Sequence, residues 1–367
     1  MNLVGPLIPL IAADLKVGLD YIGLTISIGS FALLFTALTT GFLIDVYGFK
    51  RVMFAGGLLI IAASFGLFFS YSYILFTIFY CLLQLGIGTL AISTMSIVGN
   101  HYFEDKSKNI LQVNIGLTIG AIIAPLIVSM VAALETRWQV LFVYMILLQI
   151  ILIVFLVFLR IPKDKTPRIN LEAYKNIVLR PLIILCGLMT LLYISTIKTF
   201  YTWLTSYFTI LDIRLSIGAL ILAFFAIATL AGMFLKNYLV RFFNEKKLLI
   251  ISIFFSFVLL ILVLVVSDLL AKVILIFLFG INIAGNFSLT FSIGMDVGSE
   301  HSNAVSSFLH ACGYIGVIVF QYLSGYFSEN FSKNSVLYID IALLFALLIT
   351  AIIVYRKEAD YSGKTKL

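Results

Sequence analysis

Residues 41–51 read GFLIDVYGFKR and form a short polar break between two long apolar stretches. The break gathers one acid, Asp45, and two bases, Lys50 and Arg51, around Gly48. Charge is scarce elsewhere, because 62% of the 367 residues are hydrophobic and 11% are charged, against about 25% charged residues in a soluble domain. This composition excludes a soluble globular protein and indicates a chain embedded in lipid.

Apolar stretches continue along the whole chain, and most are long enough to cross about 30 Å of hydrocarbon as a helix. They predict an all-α membrane protein with twelve transmembrane helices, near residues 1–14, 21–44, 52–70, 73–98, 109–133, 138–159, 182–208, 216–239, 248–266, 272–295, 303–327 and 335–355. The first stretch supplies only about 20 Å of helix, so we expect the first helix to be truncated in this sequence. A transmembrane barrel would instead show short segments of alternating hydrophobicity.

The distribution of lysine and arginine predicts the orientation in the membrane. If the even-numbered gaps and the C-terminus are cytoplasmic, they contain 18 of the 24 basic residues, including Lys236. The odd-numbered gaps contain five, including Lys272, and Lys198 is then the only basic residue within a span. Because basic residues concentrate on the cytoplasmic side, we expect a multi-pass protein of the cell membrane with both termini in the cytoplasm. The net charge of +7 therefore indicates contact with anionic lipid and not with nucleic acid.

The longest polar segment divides the chain into two similar halves. It predicts a first six-helix bundle at residues 1–159 and a second at residues 182–357. A cytoplasmic linker, residues 160–181, joins the bundles, and a cytoplasmic tail, residues 358–367, follows the second. The stretch around Gly23 has a weaker copy around Gly218, in which Lys50 aligns with Lys246 at an offset of 196. Repeats of this kind are common in secondary transporters, whose substrate site lies between the halves.

The glycines and charged residues of the opening stretch form the pattern G-x3-D-x2-G-x-[RK]-[RK]. Its residues are Gly41, Asp45, Gly48, Lys50 and Arg51. This pattern resembles the motif between the second and third spans of the major facilitator superfamily. Gly48 permits a tight turn, and Asp45 can pair with a neighbouring helix N-terminus or a basic side chain. The resemblance implies a gate that is latched while the cytoplasmic side is closed and that breaks when this side opens.

Three further stretches resemble the same family. GLTIGAIIAP contains Gly116, Gly120 and Pro125 and is similar to the helix-packing motif of the fifth span, where small residues let two helices approach closely. TRWQVLFVY, residues 136–144, resembles the entry to the sixth span, and YISTIKTFYTWLTSYF, residues 193–208, resembles the seventh span of sugar-porter-like branches. The resemblance implies a secondary transporter that moves a small polar solute by alternating access, without a cofactor.

Polar residues within the predicted spans are the candidates for binding the solute, because they are costly in lipid. Our substrate-binding candidates are Gln84, Lys198, Thr202, Trp203, Asn282, Asn286 and His310. Lys198 either faces a water-filled cavity or extends to the outer interface, and Trp203 lies near enough to the outer end for an interfacial belt. The two asparagines share a helix face at i, i+4, where they either bind solute or join helices.

The expected partners are lipid, a small-molecule solute and, where transport is coupled, a proton or a cation, and we expect a monomer. His310 is the only histidine within a predicted span and could carry a proton at physiological pH. Asp340 lies only about five residues inside the twelfth span and is left out of the site, so no deep carboxylate is predicted. The cysteines show no spacing typical of a metal site.

Other functions stay open: a drug or metabolite efflux transporter of the same fold, a non-transporting membrane sensor or channel, and a polytopic membrane enzyme. An enzyme is disfavoured, because the sequence contains no HExxH, no GxSxG and no pair of deep carboxylates. A sensor or channel fits the composition but does not predict a gate motif beside a half-chain repeat.

The predicted topology can be tested with single cysteines. A cysteine at Lys175 should react with a charged thiol reagent only from the cytoplasm, and one at Lys333 only from outside, because basic residues concentrate inside. Labelling of intact cells and inverted vesicles measures both, and the reversed pattern would overturn the topology.

Overall fold

The computed structural model describes residues 3–101, 106–159, 180–297, 302–332 and 334–364, with side chains in 3–97, 115–159, 180–295, 305–332 and 334–357. All regular structure in these residues is α-helical. The first half contains α1 Val4–Leu15, α2 Leu19–Tyr47, α3 Phe49–Phe68, α4 Tyr73–His101, α5 Lys106–Ala133 and α6 Val140–Phe158. The second half contains α7 Pro181–Ile210, α8 Leu215–Leu239, α9 Glu245–Val265, α10 Leu269–Ile283, α11 Asn286–Val297, α12 Ser302–Asn330 and α13 Ser335–Lys364. The predicted linker lies almost wholly outside the described residues, as do Lys175 and Lys333.

Eleven segments of the described chain are long and apolar enough to cross a membrane. One of them, Leu269–Met295, consists of α10 and α11 together. The short apolar helix α1 contains 12 residues, in agreement with the short first stretch. The predicted fold class, an all-α membrane protein with two six-helix repeats, is confirmed.

The two halves repeat each other in where their helices begin. Three helices of the first half begin 196 residues before their counterparts in the second half, at Leu19 and Leu215, Phe49 and Glu245, and Tyr73 and Leu269. The offset is the one at which Lys50 aligns with Lys246 in the sequence. The weak sequence repeat therefore reflects a repeated structure.

The halves meet mainly along three helix pairs, α2 with α12, α5 with α8, and α1 with α7. Small residues permit the first contact: a Cβ atom on Gly325 would lie 2.6 Å from the carbonyl oxygen of Leu19 and 3.0 Å from the Cα atom of Gly23. At such distances only glycine lets two backbones approach, as in other membrane helix pairs. The two bundles are thus held directly backbone to backbone.

Two hydrogen bonds between the halves lie at one end of the molecule, which we call the Leu19 end. There the Leu19 amide donates to Glu329 Oε2 at 2.9 Å, and Ser129 Oγ donates to the Ser216 carbonyl at 2.8 Å. The opposite end, which we call the Gly48 end, contains the opening stretch of the sequence. On that side, no atom lies within 4 Å of a Cβ atom built on Gly41, among the described residues. The halves are therefore closed together at the Leu19 end.

The tenth span is broken between α10 and α11. Gly285 has a φ of 71°, which favours glycine, and it separates Asn282 from Asn286. Lys236 of α8 reaches this break: its ammonium donates to Ser252 Oγ and to the Asn282 carbonyl, both at 2.7 Å, and to Asn286 Oδ1. All three ammonium protons are therefore used, and the charge lies at the C-terminal end of α10, where a cation is favoured.

Two lysines that the topology count assigned to loops lie inside the helix bundle. Lys236 is only 6% exposed, and Lys272 of α10 is 7% exposed. The Lys272 ammonium donates to the Val263 carbonyl at 2.6 Å and to the Tyr207 hydroxyl at 3.1 Å. The expectation that Lys198 is the only basic residue within a span is thus wrong. Lys236 is removed from the cytoplasmic total and Lys272 from the outer total, so basic residues still concentrate on the predicted cytoplasmic side.

Removal of the Lys236 ammonium should destabilise the protein. In Lys236→Met, Ser252 Oγ and Asn286 Oδ1 lose the ammonium as a donor, while the Asn282 carbonyl keeps only its bond from Ser252, and we expect a loss of about 1–3 kcal/mol in the free energy of unfolding. Thermal unfolding in detergent measures this as a lower midpoint. Lys247→Met, at an exposed lysine of the next helix, is the control and should leave the midpoint unchanged. An unchanged midpoint in Lys236→Met would show that the break holds without the lysine.

Candidate functional site

A cavity of about 560 Å³, including its open part, lies between the two halves. Helices α1, α2 and α4 line it from one half, and α7 and α12 from the other. The lining residues are Gly5, Ile26, Ser30, Leu33, Tyr80, Gln84, Ile194, Lys198, Tyr201, Thr202, Tyr314, Val317 and Gln321. The mixture of aromatic, hydroxyl and amide groups with one ammonium is typical of a site for a small polar molecule.

Two glutamines are held in fixed orientations at the cavity wall. Gln321 Oε1 accepts a hydrogen bond from Trp203 Nε1 at 2.8 Å, and Gln321 Nε2 donates to Thr202 Oγ1 at 3.0 Å. An indole nitrogen can only donate, so Trp203 determines which end of this amide faces which partner. Gln84 Nε2 donates to the Tyr80 hydroxyl at 3.2 Å. Both amides are thereby oriented before any solute binds.

Trp203 contributes to the site without lining it. Its side chain is fully buried and packs in the hydrophobic core near the Leu19 end. The interpretation of Trp203 as part of an interfacial belt is therefore wrong, because no part of the ring reaches the surface. Trp203 positions Gln321 instead.

Lys198 lies on the cavity wall without a partner. Within the described residues, its ammonium makes no hydrogen bond and no ion pair. The described lining of the cavity contains no aspartate or glutamate. About 18 Å of helix separate Lys198 from Ile210, and about 26 Å separate it from Pro181, so its side chain cannot extend to either end of α7. Of the two alternatives open from the sequence, the cavity-facing one agrees with this position.

The remaining candidates lie away from the cavity lining. The helix break separates the two asparagines, so they do not share one face as the i, i+4 spacing predicted. Asn286 is fully buried with its Oδ1 on Lys236, and Asn282 Nδ2 donates within its own helix to the Leu278 carbonyl at 3.1 Å. His310 packs its ring against Phe287 and Phe291, with centroids 5.8 and 5.2 Å apart. Asn286 and His310 thus join helices in this conformation, whereas the Asn282 side chain bonds within its own helix.

The gate motif lies at the Gly48 end and is not latched. Gly48, with a φ of 82°, ends α2 and begins α3. Lys50 Nζ donates to the Val157 carbonyl at 2.6 Å and to the Leu159 carbonyl at 3.2 Å, at the end of α6. Asp45 and Arg51 are exposed, and Asp45 has no hydrogen-bond or ion-pair partner among the described side chains. An unpaired Asp45 agrees with a molecule that is closed at the opposite end.

The fifth-span motif is also open in this conformation. Pro125 is buried inside α5, but no described atom lies within 4 Å of a Cβ atom built on Gly116 or Gly120. Between these glycines, Thr118 Oγ1 lies 3.9 Å from Met233 Sδ of α8. The close helix approach predicted at these glycines is not made here, because the halves are joined nearer the Leu19 end.

Asp340 is a deep carboxylate that the sequence analysis left out. It is fully buried in α13, and its Oδ1 forms a hydrogen bond with Thr199 Oγ1 of α7, while Oδ2 has no partner among the described residues. Thr199 Oγ1 also lies 2.7 Å from the Ser195 carbonyl. The sequence does show an acid inside a predicted span. Because Asp340 lies near the start of that span, the sequence did not indicate that it is buried against α7. Tyr80 was likewise missed, because one tyrosine in an apolar stretch carries no signal.

Known proteins resemble this chain in sequence and in fold. The TsgA homolog of Buchnera aphidicola subsp. Schizaphis graminum (strain Sg) is 26% identical over 242 residues, which are 63% of this chain and 62% of that protein, so the match spans less than two thirds of this relative. A crystal structure of a mutant of the nucleoside transporter NupG has a TM-score of 0.82 at 15% identity, over 96% of this chain and 95% of that one. A crystal structure of a mutant of the E. coli fucose:proton symporter FucP has a TM-score of 0.66 at 15% identity, over 96% and 94%. At these identities the two structures establish a common fold.

The family assignment depends on a match over most of the chain. The sequence model of the Major Facilitator Superfamily matches residues 1–320, a range that includes the gate motif, the fifth-span motif and the whole cavity lining except Gln321. The resemblance predicted from the sequence is confirmed, and this chain belongs to the Major Facilitator Superfamily.

Proposed function

We propose that the protein is a secondary transporter of the cell membrane that moves a small polar solute by alternating access, with both termini in the cytoplasm. The observation that carries this proposal is a polar cavity between two repeated halves that are held closed at one end. A carrier needs such a site, reached from one side at a time. A channel would need a path through the Leu19 end, where the backbones of α2 and α12 are in contact.

The opposite conformation would use the two motifs that are idle here. Rocking of the halves would separate Leu19 from Glu329 and bring the Gly48 end together. Asp45 would then pair with the facing helix or a base, and Gly116 and Gly120 would allow α5 to approach α8 closely. Family motifs that are unpaired in one state and paired in the other are what a gate requires.

The polar groups of the cavity support a solute with several hydrogen-bonding atoms. Gln84 and Tyr80 come from the first half, and Thr202 and Gln321 come from the second. A solute held by both pairs would bind the halves to each other and so favour their movement as two bodies. Two of the similar structures are named for nucleoside and for fucose, which are small polar solutes with several hydrogen-bonding atoms.

Asp340 is our candidate for binding a coupling proton. It is fully buried beside Thr199 and has no basic partner among the described residues. A carboxyl group without a cation is far cheaper to bury in its neutral, protonated form. A protonated Asp340 would donate to Thr199 Oγ1, which would leave the single Thr199 proton for the Ser195 carbonyl.

Alternating access can be tested without knowing the solute. Ile194→Cys, at a partly exposed cavity position, in a background without native cysteines, should react with a membrane-impermeant thiol reagent from either face of the membrane. Labelling of oriented vesicles from each side measures this. Labelling from one side only would contradict a carrier.

The gate can be tested in the same background. Asp45→Asn should slow labelling of the Ile194→Cys thiol from the Leu19 side, because the state closed at the Gly48 end loses its latch. Transport should slow several-fold while solute affinity changes little, since Asp45 lies far from the cavity. Asp212→Asn, an exposed acid at a φ of 64° that asparagine tolerates, is the control. Equal loss of affinity and transport would argue against a gate.

A further inference from the structure

We propose that the solute is a carboxylate monoanion and that the Lys198 ammonium binds its negative charge. This inference rests on the proposed transport function and names its substrate class. It follows from a comparison of three lysines inside the same helix bundle, of which only one, among the described residues, faces empty space.

Lys236 and Lys272 show how this protein normally buries a lysine. Lys236 donates to three protein oxygens, and Lys272 donates to a carbonyl and a hydroxyl and lies 5.6 Å from the Tyr207 ring centre. A buried ammonium is costly unless its protons are bonded and its charge is compensated. Both lysines meet this requirement with protein groups alone.

Lys198 does not meet it. No described side chain or carbonyl accepts a hydrogen bond from its ammonium, although Thr202 and Tyr201 lie on the same cavity wall. The buried carboxyl group of Asp340 is bonded to Thr199, the next residue of α7, whose side chain points about 100° away from that of Lys198 around the helix. The missing acceptor must therefore come from the contents of the cavity.

The charge of the lining limits the charge of the ligand. One ammonium faces the cavity, and every other polar group of the described lining is a neutral hydroxyl or amide. A monoanion would leave the occupied cavity neutral, whereas a phosphate monoester at about two negative charges would leave one uncompensated. A carboxylate also accepts two hydrogen bonds from one ammonium, and the glutamines would bind the hydroxyl or carbonyl groups of the remaining molecule.

The test uses purified full-length protein and solutes of matched size. Gluconate, sorbitol, glucamine and sorbitol 6-phosphate share an open six-carbon chain and differ mainly in charge, and lactate and glycerol form a smaller pair. We expect gluconate or lactate to raise the thermal unfolding midpoint, while the matched neutral and cationic solutes do not. Sodium chloride at equal ionic strength controls for screening.

Variants locate the charge selectivity. Lys198→Met should weaken carboxylate binding about tenfold or more, the equivalent of one compensated charge pair, and Lys198→Arg should retain most of it. Lys247→Met should bind the carboxylate as the wild type does. Wild-type affinity in Lys198→Met would overturn the proposal, and so would a wild-type protein that prefers the neutral solute, that prefers the phosphate monoester, or that no carboxylate stabilises. If Lys198→Met fails to fold, the solute panel on the wild type and Lys198→Arg still decides the question.

The outcome is separable from that of the transport proposal. Labelling of the Ile194→Cys thiol from both faces depends on movement of the halves and not on the charge of any solute. Two-sided labelling with binding of neutral solutes would keep the transporter and remove the anion. One-sided labelling with carboxylate binding that requires Lys198 would keep the anion site and remove the transporter.

Discussion

Hydrocarbon offers no hydrogen bonds, so a charged group inside this helix bundle is costly unless protein groups bond it or it faces a cavity. This constraint sorts the buried lysines into two kinds. The ammonium of Lys236 is surrounded by protein oxygens and acts as a structural element, whereas that of Lys198 has none among the described residues and lies at the cavity. The same rule that stabilises the fold therefore identifies the residue that is free to bind something else.

The break in the tenth span is a second consequence of that constraint. Interruption of a membrane helix at Gly285 leaves carbonyl groups at the end of α10 without helical donors. Lys236 and Ser252 supply donors there, because both donate a hydrogen bond to the Asn282 carbonyl. The carbonyl groups freed by the break thus compensate the charge of Lys236. The Lys236 ammonium in turn supplies the hydrogen bonds that these carbonyl groups lack.

The sequence predicts the coarse architecture well and the site only in part. Long apolar stretches and the offset of 196 predict the helices and their repeat, because both depend on composition over many residues. Gln84, Lys198 and Thr202 lie at the cavity as the cost of burying polar groups suggests. Asn286 does not, because its direction depends on one glycine with positive φ. Burial of Asp340 depends on which helix packs beside it, and a linear pattern does not contain that information.

Helix α7 connects the features on which function depends. Lys198 faces the cavity, Thr199 bonds Asp340 in α13, and Thr202 bonds Gln321 in α12. These three residues lie within five positions of α7. Because a helix moves as a rigid element, a displacement of one of these residues displaces the other two. Gln321 is in turn bonded to Trp203, whose ring packs against Gly325 where α2 and α12 meet. A ligand that attracts Lys198 would therefore act on the helix whose Trp203 ring packs against the contact between the two halves.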